Sequence, residues 1–537
     1  MHIAEEKPTR YLAFAICIAL FLAGLVLLAW WPRIGGILAL IFGLLTAIGI
    51  HDVTQSSRAI LRNYPILAHI RFFMESIRPE IRQYLLESDT DEAPFSREQR
   101  SLVYQRAKST SDVRPYGSLI NQYKPDHEWV NHSMMATHLA HHDFRVTIGA
   151  DQCAQPYAAS LFNISAMSFG ALSANAIRAL NQAARKGNFA HDTGEGSISP
   201  YHREHGGDLI WEIGTGYFGC RTAKGEFDAQ KFIENARLPQ VRMIEIKVSQ
   251  GAKPGHGGIL PGSKVTAEIA STRGVPEGED CISPPRHSAF ATPLEMLEFI
   301  DKLRELSGGK PVGFKFCFGH PWEFFAICKA MVESGRHPDF IVVDGAEGGT
   351  GAAPVEFANH VGTPLQEGLS IVHNTLIGLN LRDKIKLGAS GKIVSAYDMA
   401  RTLALGADWC NSARGFMFSV GCIMAQVCNT GRCPTGVATQ DPLRQRALVV
   451  PDKAERAFNF HQNTLKALAE LTGAAGLTDP NQIRPKHIIR RISSSEVRLM
   501  STVMHGLNPG DLLEGRAKHP LYTIYWPMAR SSSFDPA

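Results

Sequence analysis

The chain has 537 residues, 20% of them charged, with a formal net charge of +4 at pH 7. That length allows roughly two to four domains, or one large barrel with extensions. So small a charge, with no run of Lys and Arg to grip a phosphate backbone, argues against nucleic acid as a partner.

In chain order, the first feature is an unbroken apolar run, Tyr11–Trp31, with no charge. Roughly 20 apolar residues span a bilayer as a helix. Pro32-Arg33 interrupts the run, and a second one, Ile34–Ile50, is slightly short but long enough with bilayer thinning or interfacial anchoring. Trp30 and Trp31 stand where interfacial aromatics are expected. A cleaved signal peptide competes with this reading, because Lys7 and Arg10 resemble its basic leader. The length of the first run, the lack of a small-residue cleavage site and the second run favour a transmembrane hairpin over residues 1–50. Lys7 and Arg10 before it, with Arg58 and Arg62 after it, predict an inner-membrane protein whose catalytic part faces the cytoplasm.

Residues 51–150 are predicted to form a helical connector. Arg58, Arg62, Arg71, Arg78 and Arg82 are interleaved with apolar residues at helical spacing. A packed amphipathic connector fits this pattern, with a lipid-headgroup surface as the alternative.

From about residue 155 the pattern changes to short apolar runs alternating with helical stretches. Strands are predicted at Phe162–Met167, Met243–Val248, Val312–Phe316, Phe340–Val343, Ile385–Leu387 and Trp409–Asn411. Several of them end in Gly-rich turns. Alternation of this kind means a parallel sheet, and loops gathered at the strand ends fit a (β/α)8 TIM barrel over 151–475, with 476–537 as a C-terminal extension. A doubly wound open sheet is the alternative. Gly214-Thr-Gly-Tyr-Phe-Gly219 matches a dinucleotide fingerprint, but no clear βαβ unit surrounds it.

The ten cysteines are scattered except for Cys422, Cys428 and Cys433, spaced C-x5-C-x4-C and followed by Pro434. A tight thiol group ending in Cys-Pro is a familiar iron–sulfur arrangement. Zinc fits less well, because no companion C-x-x-C or H-x3–5-H lies beside the motif. Three buried cysteines packing as small hydrophobes are the remaining possibility.

Between about Ile164 and Pro442 the chain carries ISAMSFGALS (164–173), DTGEGS (192–197), IKVSQGAKPGHGG (246–258), LPGSKV (260–265), ISPP (282–285), DGAEGGTGAAP (344–354) and CPTGVATQDP (433–442). In these motifs it resembles the FMN-binding synthase domain of glutamate synthase, in a smaller stand-alone branch with a membrane anchor. The resemblance implies FMN at the C-terminal strand ends, a 3Fe-4S cluster on Cys422, Cys428 and Cys433, and reductive amination of 2-oxoglutarate to glutamate. For the cofactor it points to Ser165, Ala166, Met167, Thr193, Glu195, Lys315 and Gly349. At the phosphate it points to Gly388, Ser390, Gly391, Ser412 and Arg414. Lys247, Lys253 and Arg273 would bind the substrate carboxylates, and Lys253, Glu195 and His256 are the candidate catalytic groups. His256 is a possible proton shuttle or a loop residue without a role.

Two departures bear on the substrate. Family members typically read GEGGQLPG where this chain reads GHGGILPG, so His256 replaces an acid and Ile259 replaces a substrate-contacting glutamine. With no glutaminase domain expected, ammonia comes free or from a partner protein. Electrons come from ferredoxin or a separate NAD(P)H-oxidising flavoprotein. Two other functions stay open: an FMN oxidoreductase acting on a different oxo or amino acid, and a membrane-bound electron-transfer protein without small-molecule turnover.

Overall fold

A computed structural model of the protein describes residues 9–88, 94–504 and 506–537. It divides into two units, Met1–Ser88 and Asp89–Ala537.

The first unit opens with two apolar helices, α1 (Leu12–Leu27) and α2 (Pro32–Thr54). The turn between them falls at Leu28–Trp31, earlier than the sequence suggests, because Pro32 opens α2 at its first helical position. Proline is favoured there, since its missing N–H has no helical partner to lose. At 1.5 Å per residue, α1 is about 24 Å long and α2 about 34 Å. Among the described residues, α2 alone is long and apolar enough to cross a membrane. The two helices touch through small residues: a Cβ on Gly24 would stand 2.7 Å from the Ala39 backbone nitrogen, and one on Gly49 would strike the Phe14 ring at 2.3 Å. After a short helix at Ala59–Asn63 comes a longer one, α3 (Ala68–Ile81). Lys7, part of the orientation reading, lies outside the described residues.

The second unit begins its regular structure with α4 (Arg97–Ala107), started by a reciprocal Ser96–Gln99 cap. The helical part of the connector ends at Ala107. Beyond it, prolines and glycines break any helical period, and the segment instead holds two short strands, Glu128–Val130 and Arg145–Ile148. Glu128–Val130 pairs with Ile488–Arg491 from the C-terminal extension, while Arg145–Ile148 pairs with Tyr157–Ser160. The extension also carries Pro520–Met528, which packs on the barrel helix Pro321–Ser334.

The centre is a closed barrel of eight parallel strands in sequential order. They are β1 (Phe162–Ile164), β2 (His191–Asp192), β3 (Leu209–Ile213), β4 (Val241–Lys247), β5 (Val312–Phe316), β6 (Phe340–Asp344), β7 (Lys386–Ser390) and β8 (Trp409–Ser412). β8 returns to pair with β1 in parallel. Six of these are the predicted strands within a few residues. β2 and β3 are the additions, and β3 does precede the Gly214–Gly219 run. No α-helix follows that run until Ala229, so it turns the chain without opening a helix on a phosphate.

Candidate active site

The C-terminal ends of the strands surround one cavity of about 470 Å³. That is within the range of cofactor and ligand pockets, and this end of a TIM barrel carries the active site in nearly every such enzyme. Ser165, Ala166 and Met167 leave β1 along its wall. The Ser165 N–H donates to the Ser412 carbonyl at 3.1 Å, which ties the ends of β1 and β8.

At one end of the cavity, Gly349, Ser390, Gly391, Ser412 and Arg414 come together. The Ser412 hydroxyl donates to the Ile393 carbonyl at 2.6 Å, and the Ser390 hydroxyl to Asp344, so both shape the turn from within. Arg414 donates to the Glu347 carbonyl at 2.8 Å and lies over the Phe95 ring at 4.5 Å. Burial pushes its pKa down to about 10, despite Asp344 and Glu347 nearby. A buried guanidinium in that state gains from an added anion. Gly349 lies close beside it: a Cβ there would stand 2.8 Å from the guanidinium carbon, so the guanidinium would have to shift.

The floor holds a charged core the sequence did not reveal. Lys315 lies 2.9 Å from Glu245 and 3.9 Å from Asp192, and pairs closely with Glu212. All four are buried. Glu212 and Glu245 are register partners on β3 and β4. Burial, then repulsion from Glu212, pushes Glu245 up to about 7, and burial with repulsion from Glu245 holds Asp192 well above the carboxylate range. Burial disfavours the Lys315 ammonium, but the carboxylates outweigh it and hold its pKa above the usual lysine value.

The third part of the cavity is cationic. Lys247, Lys253 and Arg273 all line it, with Glu195 among them, 3.2 Å from Lys247. Burial would raise the Glu195 pKa, but Lys247, Arg273 and Lys253 together bring it below the usual value. Burial lowers that of Lys253. Arg273 is held by the Phe169 carbonyl at 3.0 Å and lies over the Phe218 ring at 5.3 Å. Both Lys253 and Arg273 belong to the long excursion between β4 and the helix Pro293–Leu306.

Four predicted residues, Thr193, Gly388, His256 and Cys433, do not line this cavity. Thr193 is buried beside the floor, its hydroxyl donating to the Gly194 carbonyl and accepting from the Glu212 N–H. Gly388 faces Trp409, where a Cβ would meet the indole at 2.4 Å. His256 lines a separate chamber of about 20 Å³ that shares Glu195 and Lys247 with the main cavity. Its ring packs edge-on against Phe357, and Nδ1 lies 2.8 Å from the Gly257 carbonyl.

Cys422 and Cys428 line the main cavity, and Cys433 is buried behind them. Burial, with Cys428 and Cys433, pushes the Cys422 thiol up, burial with Cys433 does the same to Cys428, and Lys264 reaches the Cys428 carbonyl at 2.6 Å. Among the described residues, only Asp192, Glu212 and Glu245 bring three potential ligand atoms within 4.8 Å of one another, so the thiols spread wider. One tetrahedral zinc with bonds of about 2.3 Å would draw its thiols to roughly 3.8 Å. Two non-glycine residues between the first two thiols, Met424 and Gln426, adopt left-handed backbone. Tyr104 of α4 fixes the loop by donating to the Cys422 carbonyl at 2.7 Å.

A family model described as a conserved region in glutamate synthase matches residues 97–478. The chain is 38% identical over 520 residues to the glutamate synthase large subunit-like protein YerD of Bacillus subtilis (strain 168), covering 89% of this chain and 99% of that protein. It is 35% identical over 322 residues to the archaeal glutamate synthase [NADPH] of Methanocaldococcus jannaschii, covering 60% of each chain. Against the glutamate synthase [NADPH] large chain of B. subtilis, identity is 34% over 298 residues, 54% of this chain but 18% of that one. The chain thus spans YerD almost end to end, but only part of the other two. With the family match extending over the whole barrel and its cysteine motif, the chain belongs to the glutamate synthase family of oxidoreductases.

Proposed function

We propose that the protein is a membrane-anchored, FMN- and iron–sulfur-dependent enzyme that reductively aminates 2-oxoglutarate to glutamate, using free ammonia and an external electron donor such as ferredoxin or an NAD(P)H-oxidising flavoprotein. The observation that carries this reading is one cavity that joins a buried guanidinium, a lysine floor and a cationic cluster, with two cysteines of the thiol motif on its wall.

Arg414 and the Gly391 turn would hold the FMN phosphate, and Lys315, paired with Glu212 and Glu245, would offer an ammonium toward the flavin. Cys422, Cys428 and Cys433 would ligate a 3Fe-4S cluster. When bound, FMN supplies hydride chemistry and the cluster supplies single electrons. The chain's own residues do the rest. Lys247, Lys253 and Arg273 bind and orient the two carboxylates of the oxo acid. Glu195, kept ionised by these cations, holds Lys247 in place among them. Lys253, with its lowered pKa, can give a proton to the departing carbonyl oxygen. His256 faces the neighbouring chamber and can relay protons to Glu195.

The hairpin α1–α2 would anchor the enzyme in the inner membrane with the barrel in the cytoplasm. Its support is the apolar 23-residue α2 and the close small-residue contact between the helices. The test is an anaerobic assay with 2-oxoglutarate, ammonium and reduced ferredoxin or dithionite. Formation of glutamate is expected, and its absence rejects the substrate. One feature favours a second reading, a different oxo or amino acid: Ile259, on the cavity wall, offers no hydrogen bond where relatives are expected to carry glutamine.

A further inference from the structure

The membrane reading concerns α1 and α2, but α3 carries a pattern that this reading leaves unused. In α3 the residues Ile70, Phe73, Met74, Ile77 and Ile81 fall at helical spacings of three and four, which gathers them into one stripe. Ile70, Phe73 and Met74 are 57%, 59% and 52% exposed, so this stripe is left open. A packed connector would bury it. The opposite side is the one used inside the unit: Ala68 is buried, and the Arg58 guanidinium lies over the Phe72 ring at 4.6 Å.

The level of α3 is fixed. Asp52, fully buried in the last turn of α2, accepts the Ile66 N–H at 2.9 Å and lies 2.9 Å from the His69 ring nitrogen. Ile66 is held at a φ of +67°, which a β-branched residue adopts only when its surroundings insist. The first turn of α3 is therefore stapled to the turn at which the apolar helix ends. The charge is equally one-sided. Between residues 58 and 82 the chain has five arginines against two glutamates, and Arg71 and Arg78 border the apolar stripe.

An apolar stripe with arginines along its edge, fastened to the end of a membrane span, matches the headgroup boundary of an anionic bilayer. We propose that α3 is an interfacial helix: Ile70, Phe73 and Met74 enter the acyl boundary, while Arg71 and Arg78 contact anionic lipid headgroups. This rests on the reading of α1–α2 as a membrane hairpin.

The test uses the full-length protein in phosphatidylcholine vesicles with and without phosphatidylglycerol. A photo-crosslinking phenylalanine analogue is placed at Phe73 or, separately, at Leu44 of α2, and lipid adducts are measured by mass spectrometry. Lipid adducts are expected at both positions. At Phe73 the yield should rise with phosphatidylglycerol and fall about fivefold for each of Arg71→Gln and Arg78→Gln, since one basic residue near the surface contributes about 1 kcal/mol. The Leu44 yield should not respond. Lipid adducts at Leu44 with none at Phe73, or only protein crosslinks at Phe73, overturn the interfacial helix and leave the hairpin standing. Adducts at neither position overturn both.

Discussion

Replacing Lys315 by Met tests the charged floor of the barrel. The change removes the ammonium and keeps most of the stem, leaving Glu212, Glu245 and Asp192 buried together. Removing one partner of a buried ion pair costs about 3–5 kcal/mol. Unfolding entropy of about 2.1 cal/mol/K per residue, over a unit the size of Asp89–Ala537, makes 1 kcal/mol worth about 1 °C. The midpoint should therefore drop by about 3–5 °C near pH 8. The pH dependence carries the sharper test. Burial already raises the Glu245 and Asp192 carboxyls, and without the cation they rise further. The folded variant then holds protons that the unfolded chain releases, so its stability falls as pH rises and recovers on acidification. The slope is about 1.4 kcal/mol per pH unit for each such proton. The parent's Glu245, already near 7, takes up part of its own proton in this range, so thermal unfolding of K315M beside the parent, in detergent, should show the gap narrowing by about 1–2 °C between about pH 8 and about pH 6. A gap that ignores pH, or a variant as stable as the parent, refutes this account of the floor.

Gly349→Ala should abolish most flavin retention, because the new Cβ meets the Arg414 guanidinium, whereas Gly351→Ala, with nothing within 4 Å of its Cβ, should leave flavin content unchanged. Released FMN per chain is the readout. Cys428→Ala and Cys433→Ala should each remove most of the iron found by elemental analysis while the flavin stays bound to Arg414 and the Gly391 turn. His461 is fully buried against Phe189, and burial lowers its pKa to about 3, so the folded state refuses a proton that the unfolded chain takes up below about pH 6.5. Its contribution to stability is present above that value and shrinks on acidification, by about 2 kcal/mol at about pH 5. His461→Gln should flatten the fall in melting midpoint between about pH 7.5 and about pH 5 by about 2 °C.

Six barrel strands are legible because each is an apolar run that stops at a turn. β2 is not, since His191–Asp192 is a polar pair too short to show a pattern, and β3 is disguised by Glu212. In linear sequence a glutamate between apolar residues reads as a solvent-facing position. Only the closed barrel shows that Glu212, Glu245 and Asp192 share one cation. Lys247, Lys253, Arg273 and Arg414 come from the family resemblance, since a lysine in a glycine-rich turn reads as solvated by itself; the folded chain brings all four to one cavity. Thr193 and Gly388 do not line the cavity, for a different reason. Membership of a motif does not say which way a side chain points, and these two face Glu212 and Trp409. His256 shows the same limit, since its loop turns it into the smaller chamber. In the hairpin, Pro32 reads as a break but acts as a helix start, which moves the turn to the residues before it.

The central claim is that one barrel holds a flavin and an iron–sulfur cluster as a redox pair. Full-length protein purified without oxygen, with its absorption spectrum recorded and its released FMN and iron quantified, tests this most directly. The account predicts a coloured protein with about one FMN and about three irons per chain, bleached by dithionite. A colourless preparation, with neither group in stoichiometric amount, would contradict it.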